Sequence, residues 1–162
     1  GCEHVFFSSS TGLAERGFIR QPGSHLVSWS PTGDRVAIGL RSENGSFAHV
    51  FNITKDHLNR IHYGSVPLVF KLAPARLTDL QFDLTGSFLA YGAGSECGIV
   101  SMTEHSKDGR IRRNMTGTIT SMAWGPTGYL AVAAGGTLSL CKTSEERGSW
   151  RKDWLYPDPA LL

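Results

Sequence analysis

The sequence predicts an all-β fold built from a repeated antiparallel unit of four strands, and three observations carry that prediction. First, one pattern occurs three times in the 162 residues: Val27-Ser28-Trp29-Ser30-Pro31-Thr32-Gly33, Leu80-Gln81-Phe82-Asp83-Leu84-Thr85-Gly86 and Met122-Ala123-Trp124-Gly125-Pro126-Thr127-Gly128. Second, each copy is followed by a short apolar burst, Val36-Ala37-Ile38-Gly39, Leu89-Ala90-Tyr91-Gly92 and Leu130-Ala131-Val132-Ala133. Third, the aromatics Trp29, Phe82 and Trp124 recur every 40 to 55 residues or so, a period that suits a stacked β unit.

The local chemistry justifies each element. Alternating apolar positions make a strand buried on one side. Pro presets the backbone for a turn, and the closing Gly33, Gly86 and Gly128 accept the positive φ it needs. The apolar burst then returns as a second strand. Third strands are predicted at Phe47–Ile53, Gly98–Ser101 and Thr137–Cys141, and outer strands near Pro67–Leu72, Arg110–Arg113 and Trp150–Tyr156. Ahead of the first copy, His4–Ser8 and Gly17–Arg20 read as two further strands, with Pro22-Gly23 closing the connection. Trp29, Phe82 and Trp124 are expected to fill the interiors of their units.

On these residues the chain resembles the WD-repeat β-propeller family. Phe51-Asn52 stands where the family carries its Trp-Asp dipeptide, and Ser24-His25 where a Gly-His pair is usual. The acidic residue that many such repeats place between their second and third strands is missing from all three copies. The resemblance implies about three full four-stranded blades plus a partial one, divided as 1–22, 23–73, 74–116 and 117–162. Blades of roughly 40 residues must number four to eight to close a ring. Three copies and a fragment therefore point to a piece of a larger polypeptide, or to a half-ring that a partner completes.

Composition narrows the function. A net charge of +2 is too small to imply nucleic acid or a membrane surface. Neither a membrane-spanning run nor an N-terminal segment with the form of a signal peptide is visible. Cys2, Cys97 and Cys141 are odd in number and unrelated in spacing, which suits a reducing compartment. The six histidines never take metal-ligand spacing with Cys, Asp or Glu, and His25 is expected to bond within its own blade. The serines lack a nucleophile-elbow setting, and the glycines form neither a phosphate loop nor a dinucleotide fingerprint. The sequence thus implies no catalytic residue, cofactor, metal or small-molecule substrate.

What remains is binding. In propellers generally, partners dock on the loops entering the inner strand and the loops joining the middle strands. Carried onto this chain, those loops are Gln21–His25, Arg41–Ser46, Ala73–Arg76, Ala93–Cys97 and Asn114–Thr118. Arg41, Glu43, Arg76 and Glu96 are the charged candidates there, and they are expected to be exposed. Lys107, Arg110, Arg112 and Arg113 form a basic run that suits RNA phosphates or an acidic protein, or simply a solvated outer strand. Trp150, Trp154 and Tyr156 beside Arg151 and Lys152 pose the same choice.

The stretch Leu77–Gly92, followed by Ile119–Gly125, is similar to the late blades of U-box ubiquitin-ligase scaffolds of the spliceosome. That similarity implies a nuclear, non-enzymatic scaffold that recruits the protein subunits of a large complex, with RNA met only indirectly. A cytoplasmic location, direct RNA binding through the two basic-aromatic segments, and membership of an enzyme whose catalytic part lies elsewhere are the alternatives.

Overall fold

The computed structural model describes residues 2–7, 17–58, 61–103, 110–126, 128–143 and 150–151. The described secondary structure is all β. The first sheet contains β1 (Cys2–Phe7), β2 (Gly17–Trp29), β3 (Arg35–Ser42), β4 (Gly45–Lys55), β5 (Ile61–Tyr63) and β6 (Leu68–Ala73). The second is β7 (Leu77–Phe82), β8 (Phe88–Ala93), β9 (Glu96–Ser101) and β10 (Arg110–Asn114). The third is β11 (Ile119–Trp124), β12 (Tyr129–Ala134), β13 (Thr137–Thr143) and β14 (Trp150–Arg151). Every pairing is antiparallel, and the second and third sheets run in simple sequence order from inner to outer strand.

Each apolar-aromatic repeat forms an inner strand and its turn, and each burst the second strand. Gly33, Gly86 and Gly128 have φ of 72°, 73° and 78°, the conformation that L side chains resist. Two of these turns carry the same chemistry in opposite order. In the first, Asp34 at the end accepts from the hydroxyls of Ser30 (2.8 Å) and Thr32 (2.5 Å). In the second, Asp83 at the start accepts from Thr85 Oγ1 (2.5 Å) and the Phe88 amide (2.8 Å), and Ser87 stands where the first turn has its acid. The hydroxyl hydrogen bonds hold the Asp34 carboxyl below its ordinary range.

The sheets pack face to face, and the second strand of each has two unlike faces. Ala37 and Gly39, Ala90 and Gly92, and Ala131 and Ala133 point one way. Val36 and Ile38, Leu89 and Tyr91, and Leu130 and Val132 point the other, as the period of two requires. In the first seam, Ala37, Ala48, Val50 and Leu72 pack against Leu80, Phe82, Leu89, Tyr91 and Val100. In the second, Ala90, Cys97 and Ile99 pack against Ile119, Met122, Leu130 and Val132. A Cβ on Gly39 would lie 3.0 Å from Leu77 and 3.3 Å from Leu80, and one on Gly92 3.0 Å from Ile119. Small residues on one sheet thus make room for large ones on the next.

Three expectations change. Trp29 does not fill an interior: it is 42% exposed, whereas Phe82 at the matching place is 7% exposed and Trp124 is half-buried. The difference lies in what precedes each. Phe82 and Trp124 pack beside the inner strand of the sheet before, while Trp29 has no described inner strand before it. Pro22-Gly23 does not break the chain either, because β2 runs through it. Gly23, at φ 78°, bends the strand so closely past the Arg41 carbonyl that a Cβ would lie 2.4 Å from that oxygen. Finally, Ile61–Tyr63, for which the sequence predicts no strand, forms β5, which pairs with the far end of β4 and sets Tyr63 edge-on to Phe51 at 6.4 Å.

Tyr91 locks the first seam. It is fully buried, its ring lies over Gly98, and its hydroxyl donates to Glu96 Oε1 (2.7 Å) and lies 3.3 Å from the Leu72 carbonyl of the preceding sheet. A Cβ on Gly98 would stand 2.2 Å from the ring. Gly98→Ala should therefore destabilise the fold by about 1–3 kcal/mol, read as a lower midpoint in chemical denaturation. An unchanged midpoint would contradict this packing.

The second seam buries Cys97, whose Sγ lies 3.9 Å from Met122 Sδ. Burial first, and then the Cys141 thiol and Glu96, push the Cys97 thiol from 9.0 to about 12. Burial pushes Cys141 up as well. Below pH 9 folded and unfolded chains both keep the Cys97 proton, so stability is level. From there to about pH 12 the unfolded chain releases a proton that the folded chain holds, so stability falls as pH rises. Cys97→Ala should shallow that alkaline loss in denaturation curves taken across the interval. An identical slope would remove the assignment.

Candidate interaction surface

At one end of the three sheets, hairpins and inter-sheet connections alternate along the chain, and hydrogen bonds tie them together. The β3–β4 hairpin reaches the β6–β7 connection: Arg41 Nη1 donates to the Pro74 carbonyl, and Ser46 Oγ to that of Ala75 at 2.6 Å. The β8–β9 hairpin reaches the β10–β11 connection, where the Met115 amide donates to Ser95 O and that of Ile119 to Gly94 O, both at 2.7 Å. In the third sheet the Gly135 amide donates to Thr118 O at 3.2 Å. Gly117 and Gly135 approach so closely that a Cβ on the former would stand 2.5 Å from the latter's Cα. His25 joins this rim from β2, its Nε2 donating to the Leu77 carbonyl of the next sheet at 3.1 Å. The expected bond within its own blade is thus accompanied by one between blades; Nδ1 lies 3.3 Å from Gly23 O.

Behind the rim, the inner strands are cross-linked. Phe82 N donates to Ser28 Oγ (3.2 Å), joining the first sheet to the second. Asp79 Oδ2 accepts from Met122 N (2.9 Å), Gln81 Nε2 donates to Met122 O (2.7 Å), and Trp124 Nε1 donates to Gln81 O (3.2 Å), joining the second to the third. Buried backbone groups at the seams therefore find partners across them. Asp79 and Gln81, polar residues set among Leu77, Leu80 and Phe82 in β7, were the sign of this network in the sequence.

The candidate residues take different places. Arg41, Glu43 and Arg76 are exposed on the rim, Arg41 and Glu43 at the β3–β4 hairpin and Arg76 in the connection that Arg41 touches. Glu96 differs from expectation: its side chain is only 20% exposed, held by the Tyr91 hydroxyl and by Arg112 Nε at 3.8 Å. Arg112 is half exposed and pairs with Gly98 in the ladder, whereas Arg113 pairs with Cys97. The two arginines thus point to opposite faces of β10, and Arg113 is half-buried on the side of the second seam. Lys107, Trp154 and Tyr156 lie outside the described residues, as do the side chains of Arg110, Trp150 and Arg151.

Catalytic chemistry needs convergent groups. Among the described residues no cluster of three His, Cys, Asp or Glu side chains could hold a metal ion. His62 and Asp56 pair at 3.0 Å on the exposed far edge of the first sheet. His49 is half-buried: its Nδ1 is enclosed without a hydrogen-bond partner, and desolvation lowers its pKa.

No protein-family model and no curated protein sequence matches the chain. Among solved structures, the chain is similar to the β-propeller domain of Cps50 (Swd1) from Myceliophteria thermophila, with 14% identity, a TM-score of 0.60 and 88% of this chain covered. It spans 42% of that chain's length. A chain in a mitotic checkpoint complex also aligns, with 12% identity and a TM-score of 0.33 over 93% of this chain and 71% of that one. The fold of this protein is a set of consecutive β-propeller blades, an arc shorter than half of the propeller chain it superposes on.

Proposed function

We propose that this chain is a non-enzymatic scaffold that binds protein partners on the rim of alternating hairpins and inter-blade connections. The observation that carries the reading is the rim's construction. Its loops are bonded to one another across blades, so the surface is held before a partner arrives and little ordering entropy is lost on binding. Arg41, Glu43 and Arg76 stand exposed on it with charges of both signs, which suits selection among partners by charge complementarity.

The finer reading is a propeller of a spliceosomal assembly, nuclear and recruiting subunits or substrates for a ubiquitin-ligase scaffold. The support is the similarity of Leu77–Gly92 and Ile119–Gly125 to late blades of pre-mRNA-processing factor nineteen. RNA binding through Arg112 and Arg113 draws no support from β10, where the two side chains diverge.

Affinity purification of the protein from its own cells in high salt, with partners identified by mass, tests both levels. The expected result is a defined set of protein subunits, splicing factors among them. Glu43→Lys combined with Arg76→Glu should reduce their recovery at least about tenfold while leaving the unfolding free energy within roughly 0.5 kcal/mol of the parent, since both side chains are exposed. Recovery of another defined assembly would discard the spliceosomal reading and keep the scaffold. Full recovery by the rim variant would discard the rim, and RNA lost on reversing Arg112 and Arg113 would favour the alternative.

A further inference from the structure

The two inter-sheet connections are tied to the rim with opposite polarity. The β10–β11 connection donates: the Met115 and Ile119 amides bond to the Ser95 and Gly94 carbonyls of the β8–β9 hairpin. The β6–β7 connection accepts, because Arg41 Nη1 and Ser46 Oγ of the β3–β4 hairpin bond to the carbonyls of Pro74 and Ala75. The peptide bonds there are trans, and a trans peptide aims its N–H opposite to its C=O. With both carbonyls turned to the hairpin, the Ala75 and Arg76 amides both point away from it.

Those two amides are successive donors with nothing to donate to. Among the described residues no group accepts from either, and no acid pairs the Arg76 guanidinium. Pro74, Ala75 and Arg76 are all exposed. Successive N–H groups in a turn make a concavity of partial positive charge that suits an anion, and here a guanidinium rises from the residue that supplies the second. Arg41 adds another cation on the hairpin side, held in place by its bond to the Pro74 carbonyl. Two acids lie nearby in the chain's rim loops. Glu43 is exposed in the β3–β4 hairpin, and Glu96 is already engaged by the Tyr91 hydroxyl and Arg112. The β10–β11 connection carries no cation between Met115 and Thr118, so this combination belongs to the first connection.

We propose that Ala75 and Arg76 hold an anionic side chain of a protein partner, the two amides and the Arg76 guanidinium gripping its carboxylate or phosphate oxygens. Arg41 and Ser46 act as positioning residues, fixing the backbone that presents the amides. The proposal rests on the rim as the partner-binding surface and names the chemistry taken there, an acidic peptide segment. Hydrogen bonds with a charged member are the strong ones, and a guanidinium meets paired carboxylate or phosphate oxygens with two parallel N–H groups. A single grip, with Glu43 in the adjoining hairpin and no cation in the next connection, fits one acidic group of a peptide. A nucleic acid offers a row of phosphates and is held by a row of cations, which this rim lacks.

Amide magnetic-resonance spectra of the isotope-labelled chain test this, with peptides of one neutral sequence that carry serine, glutamate or phosphoserine at the centre. The Ala75 and Arg76 amide signals should move with the glutamate or phosphoserine peptide and stay with the serine one, and added salt should weaken the effect. Movement with phosphoserine alone assigns a phosphorylated partner; movement with both assigns a carboxylate-bearing one. Arg76→Ala should weaken binding at least about tenfold, and Arg76→Lys should restore only part of it because the planar fork is missing. Both variants should unfold at the parent's midpoint, since the side chain is exposed. Stationary amides overturn the site, as does binding that survives Arg76→Ala, and partners lost from the Glu43→Lys, Arg76→Glu variant would in that case keep the rim. Moving amides in a chain whose rim variant still recovers every partner would overturn the partner segment as the occupant.

Discussion

A propeller blade must be apolar on both faces, and two such faces stack only if bulk on one meets space on the other. In this chain that constraint falls on two positions of each second strand. Ala37 and Gly39 admit Leu77 and Leu80; Ala90 and Gly92 admit Ile119 and Met122. A methyl group at Gly39 or Gly92 would already press on its neighbour at 3.0 Å. The rim of loops, the inner-strand cross-links and the burial of Cys97 all presuppose that close approach, since each spans a gap that a bulkier second strand would widen. Packing at native density explains why so small a change in volume would be felt at a distance.

The polar links do a different task from the apolar ones. Hydrophobic faces set the distance between blades but are tolerant of sliding, because burial is non-directional. The bonds from Asp79 and Gln81 to Met122, and from Trp124 back to Gln81, fix the offset of one inner strand against the next. At the rim, Arg41, Ser46 and His25 do the same for the loops. Spacing and register thus have separate physical sources, and the rim is where both are met together.

Much of this was legible in the sequence because strand alternation and Thr-Gly turns are local. The turns at Gly33, Gly86 and Gly128 follow from residues that touch one another along the chain. What was not legible depended on neighbours far away in sequence. Trp29, Phe82 and Trp124 look alike as sequence, yet their burial differs with what stands before each blade. Glu96 reads as an exposed loop acid until Tyr91 is placed beneath it. Arg112 and Arg113 read as one basic patch until the ladder sends them to opposite faces. β5 was hidden because its three residues have meaning only beside the far end of β4. The rim itself was anticipated as a set of loops, but each hydrogen bond described across it ends on a backbone carbonyl, which every residue has and no motif marks.

Tyr91 has a further consequence. Its ring is enclosed by Gly98 below and the preceding blade above, with its hydroxyl held by Glu96 and close to the Leu72 carbonyl. A half-turn of such a ring sweeps a volume that the closed seam does not contain. Ring reorientation must therefore wait for the two blades to part, which couples a single side chain's rotation to the breathing of the arc. The line shapes of its aromatic protons in magnetic resonance would time that opening from inside the core, without any label at the surface.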